Sequence, residues 1–437
     1  MTTIGIDLGS LGLDDLDDPD LLPPLAPDDA ADAPDGRTLV PGSVLARALY
    51  EVWDGTPVVI VKSPPGAGKT TLIVQVITYL AERSDLSVVV ATPTRRGAVD
   101  VARRCAAALG STKEDPKIRL ALRDAKPIEG VKSEPSAVDH FTSDRTPVVR
   151  TIASCKGQSR PKCDVMIIEE AYQSTYGDVV QATDDAEQVL MVGDPGQIGP
   201  VVSANVDIFR GRSEAPHMRA PEVYERRPYA TVLSMDTTYR LGQETVDAIA
   251  PLYGFAFDSG RPDRWVADPT GNRIAEIVPV QVPAPTRVDD LDAMRTVADY
   301  AADMVGVEHV EVGPDGVRTT RRLGQQDVAV VVAHNAQVTA VAALLRQEGY
   351  PDIAVGTANS MQGGQWAGVV ALDPLAGMDE AGEFQTFPGR LCVMASRHTA
   401  CLVWVHDGQW EAKLSNPNLD KKEARLGKKV RRALTAE

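Results

Sequence analysis

Ser63-Pro64-Pro65-Gly66-Ala67-Gly68-Lys69-Thr70 lies between a short apolar run, Val58 to Val61, and an apolar-periodic segment that begins at Thr71. Strand, glycine-rich loop and helix in that order form the setting of a phosphate-binding loop. Glycines at 66 and 68 let successive backbone N–H groups turn inward onto phosphate oxygens, and the N-terminus of the following helix adds its positive dipole end. Lys69 reaches the terminal phosphates, and the Thr70 hydroxyl is a ligand for Mg²⁺. The stretch therefore predicts a nucleoside triphosphate site. Ser63 stands where the first glycine of such loops usually sits; serine is small, so the expected effect is modest.

The pattern continues outward from this loop. Ser87 to Ala91, Val165 to Ile168 and Val189 to Val192 read as further buried strands alternating with helical patterns. That rhythm indicates a parallel sheet covered by helices. It starts again after about residue 236: a helix from Glu244 to Tyr253, a strand near Ile277 to Val282, a helix from Asp289 to Val305, then strands at Val328 to Val332, Val369 to Leu372 and Leu402 to Val405. The fold class expected is α/β, with two similar domains in tandem, each built on a parallel sheet. The expected boundaries are 37–235 for the first domain, 236–410 for the second and 411–437 for a basic C-terminal helix or tail, either solvated or in contact with nucleic acid. Residues 110–148 are polar, Pro-containing and weakly periodic, and read as an insertion or long surface excursion in the first domain.

The 437 residues carry a net charge of −16, which at first sight opposes a polyanionic partner. Residues 1–36, however, hold ten aspartates and no Lys or Arg, leaving −6 for the remainder. With five prolines among the aspartates this segment reads as a disordered acidic tail. It serves either as a solubilising extension or as a nucleic-acid mimic lying in a basic groove. Five cysteines with no Cys-x-x-Cys spacing argue against a disulfide framework and a zinc ribbon, and fit a reducing cytoplasm. No run approaches the ~18 apolar residues of a membrane span.

A second apolar strand, Val165 to Ile168, ends in Glu169-Glu170. A P-loop sheet delivers its second metal-site element in this way: Glu169 holds Mg²⁺ directly or through water, and Glu170 orients or deprotonates the attacking water. The following strand ends in Gly193-Asp194-Pro195-Gly196-Gln197, which adds an amide. Together with Thr238-Tyr239-Arg240, His334-Asn335-Ala336-Gln337, Gly356 to Gly364 and Val393-Met394-Ala395-Ser396-Arg397, this series resembles the ordered motifs of superfamily 1 helicases. It is most similar to the superfamily 1B group containing the nonsense-mediated-decay helicase and senataxin, whose second motif reads Asp-Glu-Ala-x-Gln where this chain has Glu169-Glu170-Ala171-Tyr172-Gln173. The likeness runs from about residue 56 to 406.

The resemblance implies that ATP lies between two RecA-like domains, cradled by Pro65, Gly66, Ala67, Gly68, Lys69, Thr70 and Thr71, with Gly363 of the fifth motif also against it. Lys69, Glu169, Glu170, Gln197, Arg240 and Arg397 would form the catalytic set, Gln197 sensing the γ-phosphate and relaying its presence, and Thr70 and Glu169 the Mg²⁺ ligands. Arginine suits the finger role because its guanidinium is always charged and forks onto phosphate oxygens, contributing ~10³ to 10⁵ in rate. Thr92, Pro93, Thr94 and Ser360 would touch the backbone of a single-stranded nucleic acid, DNA ahead of RNA, through hydroxyls and loop N–H groups. Arg95, Arg96, Arg210, Arg212, Arg219, Arg226 and Arg227 form either a basic path for that strand or a solvated charged face. Trp366 is a core residue or a stacking platform.

Three departures stand beside the likeness: Ser63, the glutamate at 169 where aspartate is usual, and Gln365 in place of glutamate. The usual adenine-reading glutamine has no counterpart in Thr38 to Thr56. The expected activity is an ATP-dependent single-stranded nucleic-acid translocase or helicase. The alternatives are a P-loop ATPase that remodels a protein partner and a catalytically weak, helicase-like binding module.

Overall fold

The computed structural model describes residues 39–134, 145–157, 160–202, 205–209, 211–313 and 315–436. The acidic segment 1–36 and Arg210 lie outside the described residues. The chain divides into two compact units. One comprises residues up to Ile60, Thr70–Val192 and Val206–Thr231; the other comprises Val61–Lys69, Gly193–Asn205 and Val232–Glu437.

Strands β1 (Val58–Lys62), β2 (Val88–Thr92), β3 (Arg119–Ala121), β4 (Lys132–Glu134), β5 (Val148–Thr151), β6 (Cys163–Ile168), β7 (Ala186–Gly193) and β8 (Ala230–Ser234) make an eight-stranded sheet in the order β4-β3-β5-β2-β6-β7-β1-β8. The pairs β3–β4, β3–β5, β2–β5, β2–β6 and β6–β7 are parallel. Val89, Ala91, Met166, Ile168, Val189 and Met191 share one core with Val179 and Ala182 of helix Tyr176–Thr183. The alternate residues Val88, Val90, Val165, Ile167, Leu190 and Val192 are buried as well. A strand buried on both faces reads as an unbroken apolar run, which is why these strands stood out in the sequence. Part of the 110–148 segment is sheet rather than surface excursion. Ile118, Arg119 and Leu120 are buried, and β3 and β4 extend the sheet to its edge.

The second unit holds β9 (Thr237–Thr238), β10 (Asp258–Ser259), β11 (Asp263–Ala267), β12 (Ile277–Gln281), β13 (Glu308–Val312), β14 (Arg318–Arg322), β15 (Val328–Val332), β16 (Ala354–Thr357), β17 (Trp366–Leu372) and β18 (His398–His406). Its main sheet, β12-β18-β17-β15-β16, is parallel throughout. Over the central residues of its strands, side chains alternate across it. Ala329, Val331, Val369, Ala371, Leu402 and Trp404 face one core; Val328, Val330, Val370, Leu372, Val403 and Val405 face the other. The first core is completed by helices Gln243–Ile249, Pro388–Ala395 and Lys421–Leu434, the second by Leu291–Asp303 and Asn335–Gln347.

Two features were not visible in the sequence pattern. Strands β11, β13 and β14 form a separate antiparallel sheet. The basic C-terminal segment is folded: Val430 and Leu434 enter the core, and Arg431, fully buried, makes a two-point ion pair with Asp373 at 2.8 and 2.9 Å. Lys421, Lys422, Arg425 and Lys429 remain exposed on the outer face of that helix. No helix of the described residues is long and apolar enough to cross a membrane.

Candidate nucleotide site

In a parallel sheet the loops that leave the carboxyl ends of adjacent strands gather along one edge, where open α/β sheets hold ligands. The loops that follow β2, β6 and β7 carry Thr92 to Thr94, Glu169-Glu170 and Gly193 to Gln197. The end of β1 is set beside the end of β7 by a hydrogen bond from Ser63 N–H to Gly193 C=O, 3.0 Å.

The phosphate loop turns on Gly66 and Gly68, whose φ angles of +75° and +84° an L side chain rarely adopts. Lys69 then opens helix Lys69–Arg83, so its first N–H groups face the loop without intrahelical partners. Ser63 fits without strain: it is fully buried and its hydroxyl donates to Pro64 C=O at 3.1 Å. The loop is gripped from outside. Thr238 Oγ1 donates to Pro65 C=O at 2.6 Å and Tyr239 N–H to Gly66 C=O at 3.0 Å. A Cβ added at Gly66 would overlap the Cβ of Arg240. Arg240 thus lies directly on the loop, with its Nε donating to Gln365 Oε1 at 2.9 Å and Nη1 to Ser396 C=O at 3.3 Å. Gln365, a departure in the motif, is the group that holds Arg240.

Arg397 is only 1% exposed. Its guanidinium donates to Val393 C=O at 3.2 Å, Gly364 C=O at 3.4 Å and Ser396 Oγ at 2.9 Å. Next to it, His398 and Glu276 are buried together, with His398 Nε2 3.2 Å from Glu276 Oε1 and 3.0 Å from Thr245 Oγ1. Gly242 N–H donates to Glu276 at 2.6 Å, so this carboxylate fixes the loop carrying Arg240. Burial pushes the Glu276 carboxyl up, but the hydrogen bond and charge of His398, the Arg261 charge and the Gly242 N–H together bring it down to about 2. Burial lowers the His398 pKa against the pull of that carboxylate.

The loop after β7 is organised by side chains. Asp194, 1% exposed, accepts from Gly196 N–H at 2.9 Å, from Gln197 Nε2 at 2.6 Å and from Tyr253 Oη at 2.9 Å. After β6, Glu169 is 8% exposed, and Glu170 has a left-handed backbone with φ of 48°. A non-glycine residue in that region costs ~1 to 3 kcal/mol and persists where the surrounding structure requires it. Thr70 and Thr71 stand in the first turn of helix Lys69–Arg83, half-buried.

Of the residues implied to meet nucleic acid, Thr94 is exposed and caps helix Arg95–Ala108 through a 3.0 Å bond from Gly97 N–H. Thr92 is fully buried, its hydroxyl donating to Thr94 C=O at 2.8 Å, so it shapes the loop from within. Pro93 is half-buried, and Ser360 and Gly363 are exposed after β16. Trp366 lies in the core, 5% exposed, which removes the stacking role. In the basic set, Arg219 and Arg227 pair with Glu222 and Glu214 at 3.5 and 2.8 Å, and Arg212 lies over Phe209. The sequence reading passed over Tyr253 and Asp194 as functional side chains. Asp194 had a signal in its place beside Gln197; Tyr253 had none.

Residues 46–219 match the family model of an AAA domain. The match spans the phosphate loop, Glu169-Glu170 and Gly193 to Gln197. The chain carries the parts of a nucleotide-binding, nucleoside-triphosphate-hydrolysing enzyme of the P-loop kind. No curated protein matches it. Among solved structures, the PRRSV helicase is 18% identical and is aligned over 83% of this chain and 54% of its own length, with a TM-score of 0.44. Arterivirus nonstructural protein 10 (helicase) in complex with DNA is 16% identical over 88% of this chain and 66% of its own, TM-score 0.44. The chain thus spans between about half and two thirds of the length of these structures.

Proposed function

We propose that this chain is an ATP-dependent motor on single-stranded nucleic acid, a superfamily 1 helicase core in which hydrolysis moves one RecA-like domain against the other. The observation that carries the reading is the seating of Arg240 on the phosphate loop, its Cβ closed against Gly66 and its guanidinium held by Gln365 and Ser396. A side chain with permanent positive charge against a phosphate cradle has one evident task, to stabilise charge that builds up on the transferring phosphoryl group.

Lys69 and the N–H groups at the start of helix Lys69–Arg83 bind the terminal phosphates. Among the described residues no three His, Cys, Asp or Glu side chains cluster to make a metal centre of their own. The donor set, a Thr70 hydroxyl and a Glu169 carboxylate, suits a Mg²⁺ ion that arrives with the triphosphate, because Mg²⁺ keeps phosphate and water ligands and takes only one or two from protein. Bound there, Mg²⁺ would neutralise charge on the phosphates. Glu170, held in its strained backbone position, accepts a proton from the attacking water. The strand runs past Thr94 and Ser360, both exposed, with DNA preferred to RNA.

The test is steady-state phosphate release with and without single-stranded DNA or RNA at low salt, with Lys69→Ala beside the wild type. We expect stimulation by the strand and a loss on the order of 10³-fold in Lys69→Ala. Equal, slow release by both proteins removes the enzyme reading. Hydrolysis that no nucleic acid stimulates favours an ATPase acting on a protein partner.

A further inference from the structure

Three separate stretches of the second unit meet at one hydroxyl. Tyr253 Oη donates to Asp194 Oδ1 at 2.9 Å and lies 3.2 Å from Cys392 Sγ, across sequence separations of 59 and 139 residues. With the phenolic proton committed to the carboxylate, the thiol is the donor in the second contact. Burial pushes the Cys392 thiol up to about 12, so it keeps its proton; Asp194 acts in the same direction, while the charges of Arg397 and Lys69 oppose it. The charges of Asp194, Arg397 and Lys69 therefore all reach this one point.

The ring is placed as firmly as the hydroxyl. Edge-to-face contacts with Phe255 and Phe257, at 5.6 and 5.0 Å between centroids, hold it. It covers the backbone of Gly196 so closely that a Cβ there would stand 2.8 Å from Tyr253 Cε1. On the far side, Gly389 lets helix Pro388–Ala395 approach Gln197, since a Cβ at 389 would stand 2.6 Å from the Gln197 carbonyl oxygen. Asp194, fixed by Tyr253, in turn holds Gln197 Nε2 at 2.6 Å and so decides which end of that amide faces away from it.

We propose that Tyr253 is a positioning residue: through Asp194 it sets the orientation of the Gln197 amide, and through Cys392 it ties that setting to the helix leading to Arg397. This rests on the nucleotide-site reading above. Tyr253 acts through these partners, half-buried beside the core. Its effect is to make the glutamine and the arginine respond together to what occupies the terminal phosphate position. The loss of one hydrogen bond to a charged group then acts on the step that senses the third phosphate, with little consequence for anchoring of the first two.

Two variants separate this from a packing role. Tyr253→Phe keeps the ring and its aromatic contacts and removes only the hydroxyl. Asp194→Asn keeps size but places an amide NH₂ where the carboxylate accepts from Gln197, so the Gln197 amide turns over. Both are measured for affinity toward ADP and toward a non-hydrolysable ATP analogue, for ATP turnover and for melting temperature. We expect ADP affinity within about twofold of wild type, the preference for the triphosphate analogue lost, and turnover reduced about ten- to a hundredfold, more in Asp194→Asn. A Tyr253→Phe protein that retains both the triphosphate preference and wild-type turnover overturns the proposal. Parallel losses in ADP affinity and melting temperature overturn it too, in favour of a packing role. Because triphosphate preference is read by binding, the proposal stands or falls even if the wild type proves hydrolytically silent. A wild type that binds neither nucleotide overturns this inference and the nucleotide-site reading together.

Discussion

The two loops that matter most, Pro64 to Gly68 after β1 and Gly193 to Gln197 after β7, meet through the Ser63–Gly193 hydrogen bond, yet they are built on opposite principles. The first is made of backbone. Its cradle depends on two positive φ angles and on N–H groups that need no particular side chain. The second is made of side chains, with one carboxylate accepting from a backbone N–H, an amide and a phenol at once. A backbone cradle is rigid and insensitive to charge state, which suits the constant task of gripping phosphates. A carboxylate hub can exchange partners, which suits a task whose answer depends on the ligand.

The contrast is broken most severely at Gly66. Alanine there must adopt φ near +75° and also displace the Cβ of Arg240 and crowd Thr238 Oγ1 at 3.0 Å. Strain and overpacking together amount to roughly 4 kcal/mol, a loss of about 10³-fold in kcat/KM for ATP, with nucleotide affinity falling too. Isothermal titration alongside turnover would check it. Unchanged affinity in Gly66→Ala would mean that the loop is not the cradle.

Gly196→Ala should be milder and different in kind. The residue has no positive φ, so alanine suits its backbone, and the three atoms nearest to the added Cβ all belong to Tyr253. We expect turnover to fall about tenfold with ADP affinity nearly unchanged, and stability to fall by ~1 to 3 kcal/mol. A double-mutant cycle with Tyr253→Leu sharpens the comparison. The smaller side chain should restore the stability and leave turnover low, because room returns but the hydroxyl does not. Additive stability losses would show that the ring and Gly196 do not meet as described.

This difference also explains what the sequence disclosed. The phosphate loop was readable because strand, glycines, lysine and helix are consecutive, and β2, β6, β7, β15, β17 and β18 because doubly buried strands are continuous apolar runs. Arg240 and Arg397 were legible through motif order; their partners were not. Gln365 appeared in sequence as a departure, and only the fold shows that its amide oxygen accepts from Arg240. Tyr253 carries no local signal, because a tyrosine at the end of an amphipathic helix is ordinarily core, and its meaning comes from contacts made 59 and 139 residues away. The C-terminal segment misled for the same reason. Its lysines and arginines suggested a solvated helix or tail; it is a helix, but the spacing of Val430, Arg431 and Leu434 puts three side chains into the interior and Asp373 supplies the counter-charge.

The smallest effect expected lies in acid. The side-chain-built part of the site depends on ionisation at Glu276, which fixes the Arg240 loop through Gly242, and on His398 beside it, whose imidazole burial holds below its ordinary pKa. Both groups have folded pKa values below their ordinary ones, 4.5 for the carboxyl and 6.5 for the imidazole, with the carboxyl at about 2. The unfolded chain therefore takes up protons first as pH falls. The stability they confer is complete at neutral pH. His398's share declines once pH drops below about 6.5, and Glu276's declines between about 4.5 and 2. The melting temperature should drop by a few degrees between pH 7 and 4, with a steeper fall below. Glu276→Gln should start lower at pH 7 and lose less on acidification below 4.5. If the wild type and the variant kept a constant difference across that whole range, the carboxylate would not be the group that fastens Arg240 in place, and the side-chain half of the comparison would have to be rebuilt around Gln365 alone.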